Sequence, residues 1–589
     1  MAKADIFDHD IHTVDYRSEY EALRIDSGTL LGIEGRQVES LNGPYHFTVD
    51  PYETCLRAHW FQERTVSEDG RPLPVDFDFD AWPVVPVPSS WNTERDDLYY
   101  YEGLGLYART FSYLPENEDE RVFLHFEGSA YRTYVFLNGE HRGMHDGGST
   151  PFSVEVTDAL KRENRLIIAV DASRSPNRVP MDNTDWFNYG GIYRDVMLVR
   201  TPKNFIKSFQ SQFVPGTLEK VFASLTMDAP IDGTAVYMIE ELGVEQEIPI
   251  KQGKGYVTFP VDLVPWSPEK PKLYTVKVRY GEDQLIDSIG FRDIRVDGLK
   301  ILLNNQEIFL KGVSVHEDHI TLGKTTNEDV IRATIADLKE MHGNFLRLAH
   351  YPHTRLFARI ADELGVLLWE EIPVYWAINF SNRETYADAE NQLSELILRD
   401  YNRASVIIWS VGNENPDTDE RLSFMTSLVQ KARETDATRL VSAACMVNKT
   451  KLKLEDRLMH QLDIIGNNEY YGWYEPNFSD FLAILNNTDI MKPFIITEFG
   501  GGARAGYHGT KDTMWSEEFQ EALYEKQFAT LEKTPYVRGT TPWIFYDFRA
   551  VRRLNRYQEG FNRKGLIDSD RKRRKLAYYV TQRYYKNKM

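Results

Sequence analysis

The hydrophobic positions of roughly the first half of the chain follow the two-residue period of β-strands. The segment RVFLHFEGSAYRTYVFLNGEHRG (121–143) holds two alternating runs, and Asn138-Gly139 within it signals a tight hairpin turn. Helical periodicity is nearly absent, and turn residues separate the short runs. Residues 1–202 are therefore predicted to form a β-sandwich of the jelly-roll type.

A second block of short strands follows at 203–297. It includes YVTFPVDL and LYTVKVRY, with Trp266-Ser267-Pro268 as a turn between them. The length of this block suits an immunoglobulin-like β-sandwich.

After Gly298 the pattern changes, because strand-like runs now alternate with segments whose apolar residues recur at helical spacing. The strand-like runs are IFLKGVSV (308–315), NFLRLAH (344–350), GVLLWEEI (365–372), SVIIWSVGNE (405–414), RLVSAAC (439–445), DIIGNNEYY (463–471), PFIITEFG (493–500) and TTPWIFYDF (540–548). This alternation predicts a C-terminal (β/α)8 TIM barrel over 298–589. The spacer after the fifth run has the weakest helical pattern, and a doubly wound open sheet is the competing topology.

Composition and charge narrow the class of protein. The 589 residues include 89 acidic and 69 basic ones, and a net charge of −20 disfavours nucleic acids and acidic membranes as partners. No stretch of consecutive apolar residues approaches a length of about 18, which a membrane span requires. The N-terminus lacks an apolar signal segment, and Cys55 and Cys445 are too few for a disulfide framework, so we expect a cytoplasmic protein.

Polar side chains collect at the ends of the predicted barrel strands, where active sites of such barrels lie. These residues are His316, Glu317, Asp318, Arg347, His350, Glu370, Glu371, Asn413, Glu414, Asn467, Asn468, Glu469, Tyr470, Glu498, Trp543 and Asp547. No glycine-rich phosphate loop and no serine elbow follows any strand. Carboxylates, amides and aromatic rings are the groups that sugar chemistry requires.

Two glutamates each end an almost wholly apolar strand. Glu414 ends SVIIWSVGNE, and Glu498 lies three strands later in PFIITEFG. One such glutamate alone could cap a loop or pair with an arginine. Two at strand ends of one barrel fit glycoside hydrolysis, in which one carboxyl protonates the leaving oxygen and the other is ionised. If the second attacks directly, the pair stands about 5–5.5 Å apart and configuration is retained.

Other strand-end side chains are candidates for supporting this chemistry. Arg347 and the Tyr470 hydroxyl could stabilise Glu498 as an anion. Trp543 offers a flat apolar floor for a sugar face, and the Asn413 amide can donate a hydrogen bond to a sugar hydroxyl.

These segments resemble glycoside hydrolase family 2, in the clan of retaining barrel hydrolases. WSVGNE resembles the acid/base motif of the family, and ITEFG resembles its nucleophile motif. VPVPSSWN, YEGLGLYARTF, VFLNGEHRG and FNYGGIYRDV resemble its sugar-binding jelly roll, so that the resemblance spans almost the whole chain. It implies that Glu414 is the general acid/base and Glu498 the nucleophile of a double displacement with a covalent glycosyl-enzyme intermediate. It implies no cofactor.

Two segments, NNEYYGWY (467–474) and Asn562-Arg563-Lys564-Gly565, resemble the β-glucuronidases of this family. A lysine ammonium and an asparagine amide can bind the C6 carboxylate of glucuronate by charge-assisted hydrogen bonds. The resemblance therefore implies hydrolysis of terminal β-D-glucuronic acid from glucuronides. The residues that it places around the sugar are Asp185, His350, Asn413, Asn468, Tyr470, Tyr474, Trp543, Asn562 and Lys564.

One departure leaves the choice among uronic acids open. β-Glucuronidases commonly carry an arginine four residues before that asparagine, where this chain has Gln558, and Arg556 is close in sequence but shifted. The alternative is a β-galacturonidase or β-galactosidase of the same family. A galactosidase, however, has no need of Asn562 and Lys564.

Other classes are disfavoured by particular residues. His316-Glu317-Asp318-His319 could be interpreted as a metal cluster, but it lies at a strand end and no third distant ligand is marked, so no metal is expected. A non-catalytic carbohydrate-binding protein would be expected to have lost both carboxylates. We expect a glucuronide or uronic-acid-terminated oligosaccharide as partner and, from the resemblance, a homo-oligomer (dimer or tetramer).

The basic stretch FNRKGLIDSDRKRRK (561–575) divides into two parts. Lys564 follows the eighth predicted strand on the substrate side, and we interpret it as a clamp for the sugar carboxylate. Residues 571–575 precede the final helix and are expected to be solvated.

Overall fold

The computed structural model describes residues 16–588 apart from 68, 74, 118, 489–490 and 535. Its N-terminal part consists of two antiparallel sheets that share one apolar core. In spatial order, the six-stranded sheet contains Val84–Val87, Gly43–Val49, Leu104–Ser112, Glu163–Asp171, Arg132–Leu137 and Glu140–Asp146. The four-stranded sheet contains Val38–Ser40, Val196–Thr201, Arg121–Phe126 and Phe152–Glu155. The predicted sandwich is confirmed.

The predicted hairpin forms between Arg132–Leu137 and Glu140–Asp146. Asn138 has φ 54° and Gly139 has φ 84°, so both turn residues occupy the left-handed region. Asparagine and glycine tolerate this region better than other residues, which is why this dipeptide closes the hairpin.

The middle of the chain is also all-antiparallel. Its seven-stranded sheet contains, in spatial order, Ile206–Phe213, Lys220–Met227, Lys254–Pro260, Val244–Lys251, Gly233–Ile239, Tyr274–Tyr280 and Asp283–Ile289. A small sheet of Ile294–Asp297, Lys300–Leu303 and Gln306–Ile308 leads into the last part of the chain. The division of the chain at residues 202 and 297 stays a prediction.

The C-terminal part is a closed barrel of eight parallel strands, so the predicted barrel is confirmed and the open sheet is not. The strands are β1 (Leu310–Val315), β2 (Phe345–Leu348), β3 (Leu367–Glu371), β4 (Val406–Asn413), β5 (Leu440–Cys445), β6 (Ile465–Asn468), β7 (Phe494–Glu498) and β8 (Val537–Thr540). Strand β8 lies earlier than TTPWIFYDF predicted, because only the first residue of that segment belongs to it.

The helices of the barrel are Glu328–Glu340, Arg355–Leu364, Arg383–Asp400, Asp419–Thr435, Phe478–Asn487, Glu517–Leu531 and Leu576–Asn587. Between β5 and β6 a single 3-10 turn, Arg457–His460, stands in place of a full helix. This is the spacer whose helical pattern was weakest. None of the helices in the described part of the chain is both long and apolar enough to span a membrane.

The N-terminal sandwich contacts the mouth of the barrel through an ion pair and a hydrogen bond. Arg194 donates to Glu317 over 2.8 Å, and Tyr189 donates to Asp318 over 2.8 Å. Arg549, in the loop after β8, also donates to Asp318, over 2.9 Å, so that Glu317 and Asp318 serve as partners for side chains from the sandwich and from this loop. This contact places the segment around Asp185 over the barrel, at the ends of the strands.

Candidate active site

A cavity of about 310 Å³ lies at the carboxyl ends of the barrel strands, as the strand-end residues predicted. The residues of the expected site that line it are Asp185, His350, Glu414, Asn468, Tyr470, Tyr474, Glu498, Trp543 and Lys564. They come from β6 and β7, from the loops after β2, β4, β6 and β8, and from the N-terminal sandwich. The barrel fold is what brings residues this far apart in sequence into one cavity.

Glu498, the last residue of β7, is buried and held at both oxygens. Arg347 donates to Oε1 over 2.8 Å, and the Tyr470 hydroxyl donates to Oε2 over 2.7 Å. His350 Nε2 lies 3.7 Å from Oε1. These contacts fix the orientation of the carboxylate and favour its ionised form.

Opposing electrostatic effects act on the pKa of Glu498. Burial raises the pKa of this carboxyl and the charge of Glu414 adds to that effect, while Arg347, His350 and Tyr470 oppose it, so that the pKa stays above its ordinary value. Arg347 is itself buried and also pairs with Glu371, at 3.0 Å. Burial acts against ionisation of Glu371 too, but Arg347 and His350 outweigh it and lower its pKa to about 2.

Glu414 follows β4 directly and has φ 52°, in the left-handed region that a glutamate rarely adopts. Its side chain accepts hydrogen bonds from Trp376 Nε1 at 2.8 Å and from Asn468 Nδ2 at 3.0 Å. Unusual backbone geometry of this kind is concentrated at functional sites. Within the part of the chain that the structure describes, Glu414 thus receives hydrogen bonds from neutral donors only, in contrast to the arginine-paired Glu498.

The Asn413 side-chain amide is oriented by the protein through its oxygen, and its nitrogen is unpaired. Its Oδ1 accepts from Arg347 at 2.7 Å and from Asn468 at 3.2 Å, which orients the side chain. Its Nδ2 is buried and has no hydrogen-bond partner among the described residues. A buried unpaired donor costs free energy unless a ligand satisfies it, and a sugar hydroxyl would do so.

The cavity wall beside Tyr474 carries two basic residues, Lys564 and Arg553. Lys564 is 3% exposed, and its ammonium donates to the Tyr474 hydroxyl over 2.8 Å. Arg553 donates to the same hydroxyl over 3.3 Å and to Asp185 Oδ1 over 2.9 Å. Burial raises the pKa of Tyr474, but Lys564 and Arg553 outweigh it and hold the pKa below its ordinary value.

Three residues of the expected set lie behind the cavity wall. Arg347 and Asn413 are buried beneath it and act on Glu498 and Asn468 as described above. Asn562 is fully buried, donates to Asp185 Oδ2 over 3.3 Å and accepts from the Lys564 backbone N–H over 3.2 Å. In this structure Asn562 therefore orients Asp185 and the lysine loop.

The sequence did not single out several residues that line the cavity, among them Tyr375, Trp376 and Arg553, and it gave the strand-end residue Glu469 no role. Trp376 belongs to the short segment after β3, whose function no motif indicated. Glu469 is buried, and burial raises its pKa to about 8. Arg553 is one of four arginines between residues 549 and 556, and no local pattern distinguishes it from Arg556, which is exposed.

The barrel, the two strand-end carboxylates and the preceding β-sandwich define the protein as a glycosidase of the barrel class. Residues 294–589 match the family model described as glycosyl hydrolases family 2, TIM barrel domain, and residues 38–202 match the sugar binding domain of the same family. The chain therefore belongs to glycosyl hydrolase family 2, which confirms the resemblance of its motifs.

Relatives match along most of their length. A β-glucuronidase of Paenibacillus borealis is 28% identical, over 93% of this chain and 97% of its own. A β-glucuronidase of Mus musculus is 26% identical, over 96% of this chain and 93% of its own.

Solved structures of two specificities are similar to this one. The β-glucuronidase of Ruminococcus gnavus in complex with D-glucaro-d-lactam has a TM-score of 0.82 and 26% identity, with 95% of this chain and 100% of that chain covered. The family 2 β-galacturonidase of Eisenbergiella tayi bound to galacturonate has a TM-score of 0.80 and 26% identity, with 94% and 97% covered.

Proposed function

We propose that the protein is a retaining β-glucuronidase, which removes terminal β-D-glucuronic acid from glucuronides. Glu498 attacks the anomeric carbon while Glu414 protonates the glycosidic oxygen, and the aglycone leaves. Glu414 then accepts a proton from the water that hydrolyses the glycosyl–Glu498 bond. Arg347 and Tyr470 hold Glu498 ionised and oriented for attack.

The observation that carries the sugar assignment is the state of Lys564. Its ammonium is buried at the cavity wall, where it donates to the Tyr474 hydroxyl, and no carboxylate within the described residues forms an ion pair with it. A buried cation without a counter-ion is unfavourable, so the site is poised for an anion from outside the chain. The C6 carboxylate of a uronic acid is such an anion, and the carboxylates Glu414 and Glu498 line the same cavity.

A second sugar is supported by a specific observation. The β-galacturonidase of Eisenbergiella tayi is as similar to this chain as the glucuronidase structures are. Glucuronate and galacturonate carry the same carboxylate and differ in the configuration of the C4 hydroxyl. The buried lysine therefore supports both uronides, while the curated glucuronidase relatives favour glucuronide.

The assignment is tested by assaying the 4-nitrophenyl β-glycosides of glucuronate, galacturonate, galactose and glucose side by side. We expect the highest kcat/KM on the glucuronide. Higher turnover on the galacturonide would support the second candidate, and higher turnover on a neutral glycoside would refute both uronides.

We also propose a homo-oligomer (dimer or tetramer), as the family resemblance implies, and a cytoplasmic location. Cys55 and Cys445 are both free and buried, which suits a reducing compartment. Light scattering coupled to gel filtration gives the molar mass in solution, and a monomer would contradict the first proposal. Cell fractionation tests the second.

A further inference from the structure

The loop after β8 supplies a second cation, Arg553, to the part of the cavity that contains Lys564 and Tyr474. Arg553 donates from Nε to Asp185 Oδ1 over 2.9 Å and from Nη2 to the other oxygen of that carboxylate. Its remaining nitrogen, Nη1, points to the Tyr474 hydroxyl at 3.3 Å. Lys564 reaches that hydroxyl from another direction, at 2.8 Å, so both cations converge on one oxygen atom.

The charges at this end of the cavity indicate what Arg553 does. Asp185 lines the same cavity as Lys564, and with these two groups alone a substrate carboxylate would meet no net positive charge. Arg553 adds a positive charge inside the cavity, and exposed Arg552, whose Nε lies 3.9 Å from Asp185 Oδ1, adds another outside it, so that the surroundings of Asp185 attract a uronate. At these distances and degrees of burial, an uncompensated carboxylate would repel the substrate strongly.

We propose that Arg553 is a specificity-determining residue, which binds the substrate carboxylate together with Lys564 and cancels the charge of Asp185. This inference rests on the proposed uronidase function and identifies the missing second carboxylate contact. Its Nη1 edge and the Lys564 ammonium form a pair of donors around the position of the Tyr474 oxygen. A carboxylate oxygen beside that position accepts from both.

The neighbouring side chains of the loop do not compete for this role. Gln558, at the position where an arginine was expected, is buried and accepts from Asn555 over 2.8 Å. Arg556 is exposed and donates to the hydroxyl of Tyr557 over 2.6 Å. Arg552 also pairs with Asp185, over 3.9 Å, but its side chain is exposed, lies over the ring of Trp376 at 5.2 Å from the centroid, and does not line the cavity.

The simpler alternative is that Arg553 serves only to hold Asp185 in place. The two roles differ in a ratio, the kcat/KM for 4-nitrophenyl β-glucuronide divided by that for 4-nitrophenyl β-glucoside. These substrates differ only at C6, so a residue that merely orients Asp185 affects both alike. A residue that binds the carboxylate affects the glucuronide selectively.

Arg553→Gln is expected to lower this ratio by about 10- to 100-fold, as loss of a charge-assisted hydrogen bond does. Arg553→Lys keeps the charge but not the planar fork, and it should retain most of the preference for glucuronide. The matched control is Arg556→Gln, on the same loop but facing away from the cavity, which should leave the ratio unchanged. Circular dichroism and thermal unfolding establish that each variant is folded.

The double variant Asp185→Asn/Arg553→Gln separates the roles further. If Arg553 binds the substrate, adding Arg553→Gln to Asp185→Asn still lowers the ratio about 10-fold or more. An unchanged ratio in both backgrounds would overturn the inference. The proposed function would survive that outcome if the unmodified protein prefers glucuronide and Lys564→Met abolishes the preference. If the unmodified protein has no preference, the proposed function itself fails.

Discussion

Two buried lysines of the basic stretch 561–575 have opposite surroundings. Lys575 is fully buried and donates to Asp547 Oδ1 and to the Ala503 carbonyl, each over 2.8 Å. Lys564 is buried almost as completely, but within the described residues its ammonium donates only to the Tyr474 hydroxyl. The charge of Lys575 is compensated by Asp547 within the protein, whereas the charge of Lys564 requires a counter-ion from a ligand.

The comparison distinguishes structural from functional charge. Burial lowers the pKa of Lys575, and Asp547 beside it counteracts that effect by stabilising the ammonium. Such a pair connects the segment before the last helix to the end of the barrel. The expectation that 571–575 is solvated is therefore wrong for Lys575. Basic composition alone does not distinguish a surface cluster from a buried ion pair.

The largest effect is expected for a substitution that removes the proposed nucleophile and leaves both lysines in place. Glu498→Gln should lower kcat by about 10⁴-fold, because an amide cannot form the glycosyl ester, while substrate binding is retained. Stopped assays measure turnover, and calorimetry with a glucuronide measures binding. Near-normal turnover would refute the nucleophile role.

Lys575→Met should break the compensated side of the comparison. Buried Asp547 would lose its closer cation and retain Arg563 Nη1 at 3.5 Å, so the cost in unfolding free energy should lie near the lower end of the about 3–5 kcal/mol for breaking a buried pair. Denaturant unfolding measures this loss. The matched control is Lys572→Met, an exposed lysine of the same run, which should be neutral. Equal effects of the two substitutions would contradict the structural role of Lys575.

Lys564→Met, unlike Lys575→Met, should reduce activity and not stability. It removes an ammonium that has no carboxylate partner, so the unfolding free energy should not fall. Loss of the charge-assisted contact should raise the activation free energy that corresponds to kcat/KM on the glucuronide by about 1.5–3 kcal/mol. The kcat/KM on the neutral glucoside should be unaffected. Equal losses on both substrates would exclude a carboxylate clamp.

The smallest effect concerns the pH dependence. Glu498 must be ionised to attack, and its pKa is raised by burial, so the acid limb of the kcat/KM profile should lie above the ordinary glutamate value of about 4.3. The Tyr470 hydroxyl donates to this carboxylate and so lowers its pKa. Tyr470→Phe should therefore move the acid limb to higher pH, by up to about one unit.

The control for this shift is Tyr471→Phe. Tyr471 is the next residue along the chain, but its ring stacks on Phe481 outside the cavity. An acid limb that stays in place in Tyr470→Phe, or moves equally in both variants, would contradict the role of the Tyr470 hydroxyl.

The barrel could be predicted from the sequence because its buried strands and amphipathic helices alternate. Strand ends could be located as well, since polar residues there interrupt apolar runs, as at Glu414 and Glu498. Long-range partners could not be predicted. No local pattern indicates that Arg553 meets Asp185, because the contact depends on how the sandwich sits over the barrel.

Adjacent residues also separate in ways that composition does not reveal. Glu370 and Glu371 both end β3, but successive side chains of a strand point to opposite sides. Glu371 faces Arg347 in the site, whereas Glu370 lies near Arg399 and Asp400, and burial and Asp400 raise its pKa well above the ordinary value. The sequence placed both carboxylates at the strand end, and only the barrel geometry distinguishes them.

The most direct test of the central claim is a crystal structure of the Glu498→Gln variant with a bound glucuronide. The account predicts a carboxylate oxygen within hydrogen-bond distance of the Lys564 ammonium, about 2.7–3.2 Å, with the anomeric carbon beside residue 498. A sugar whose carboxylate points to solvent or toward Trp376, leaving Lys564 bonded only to Tyr474, would contradict it.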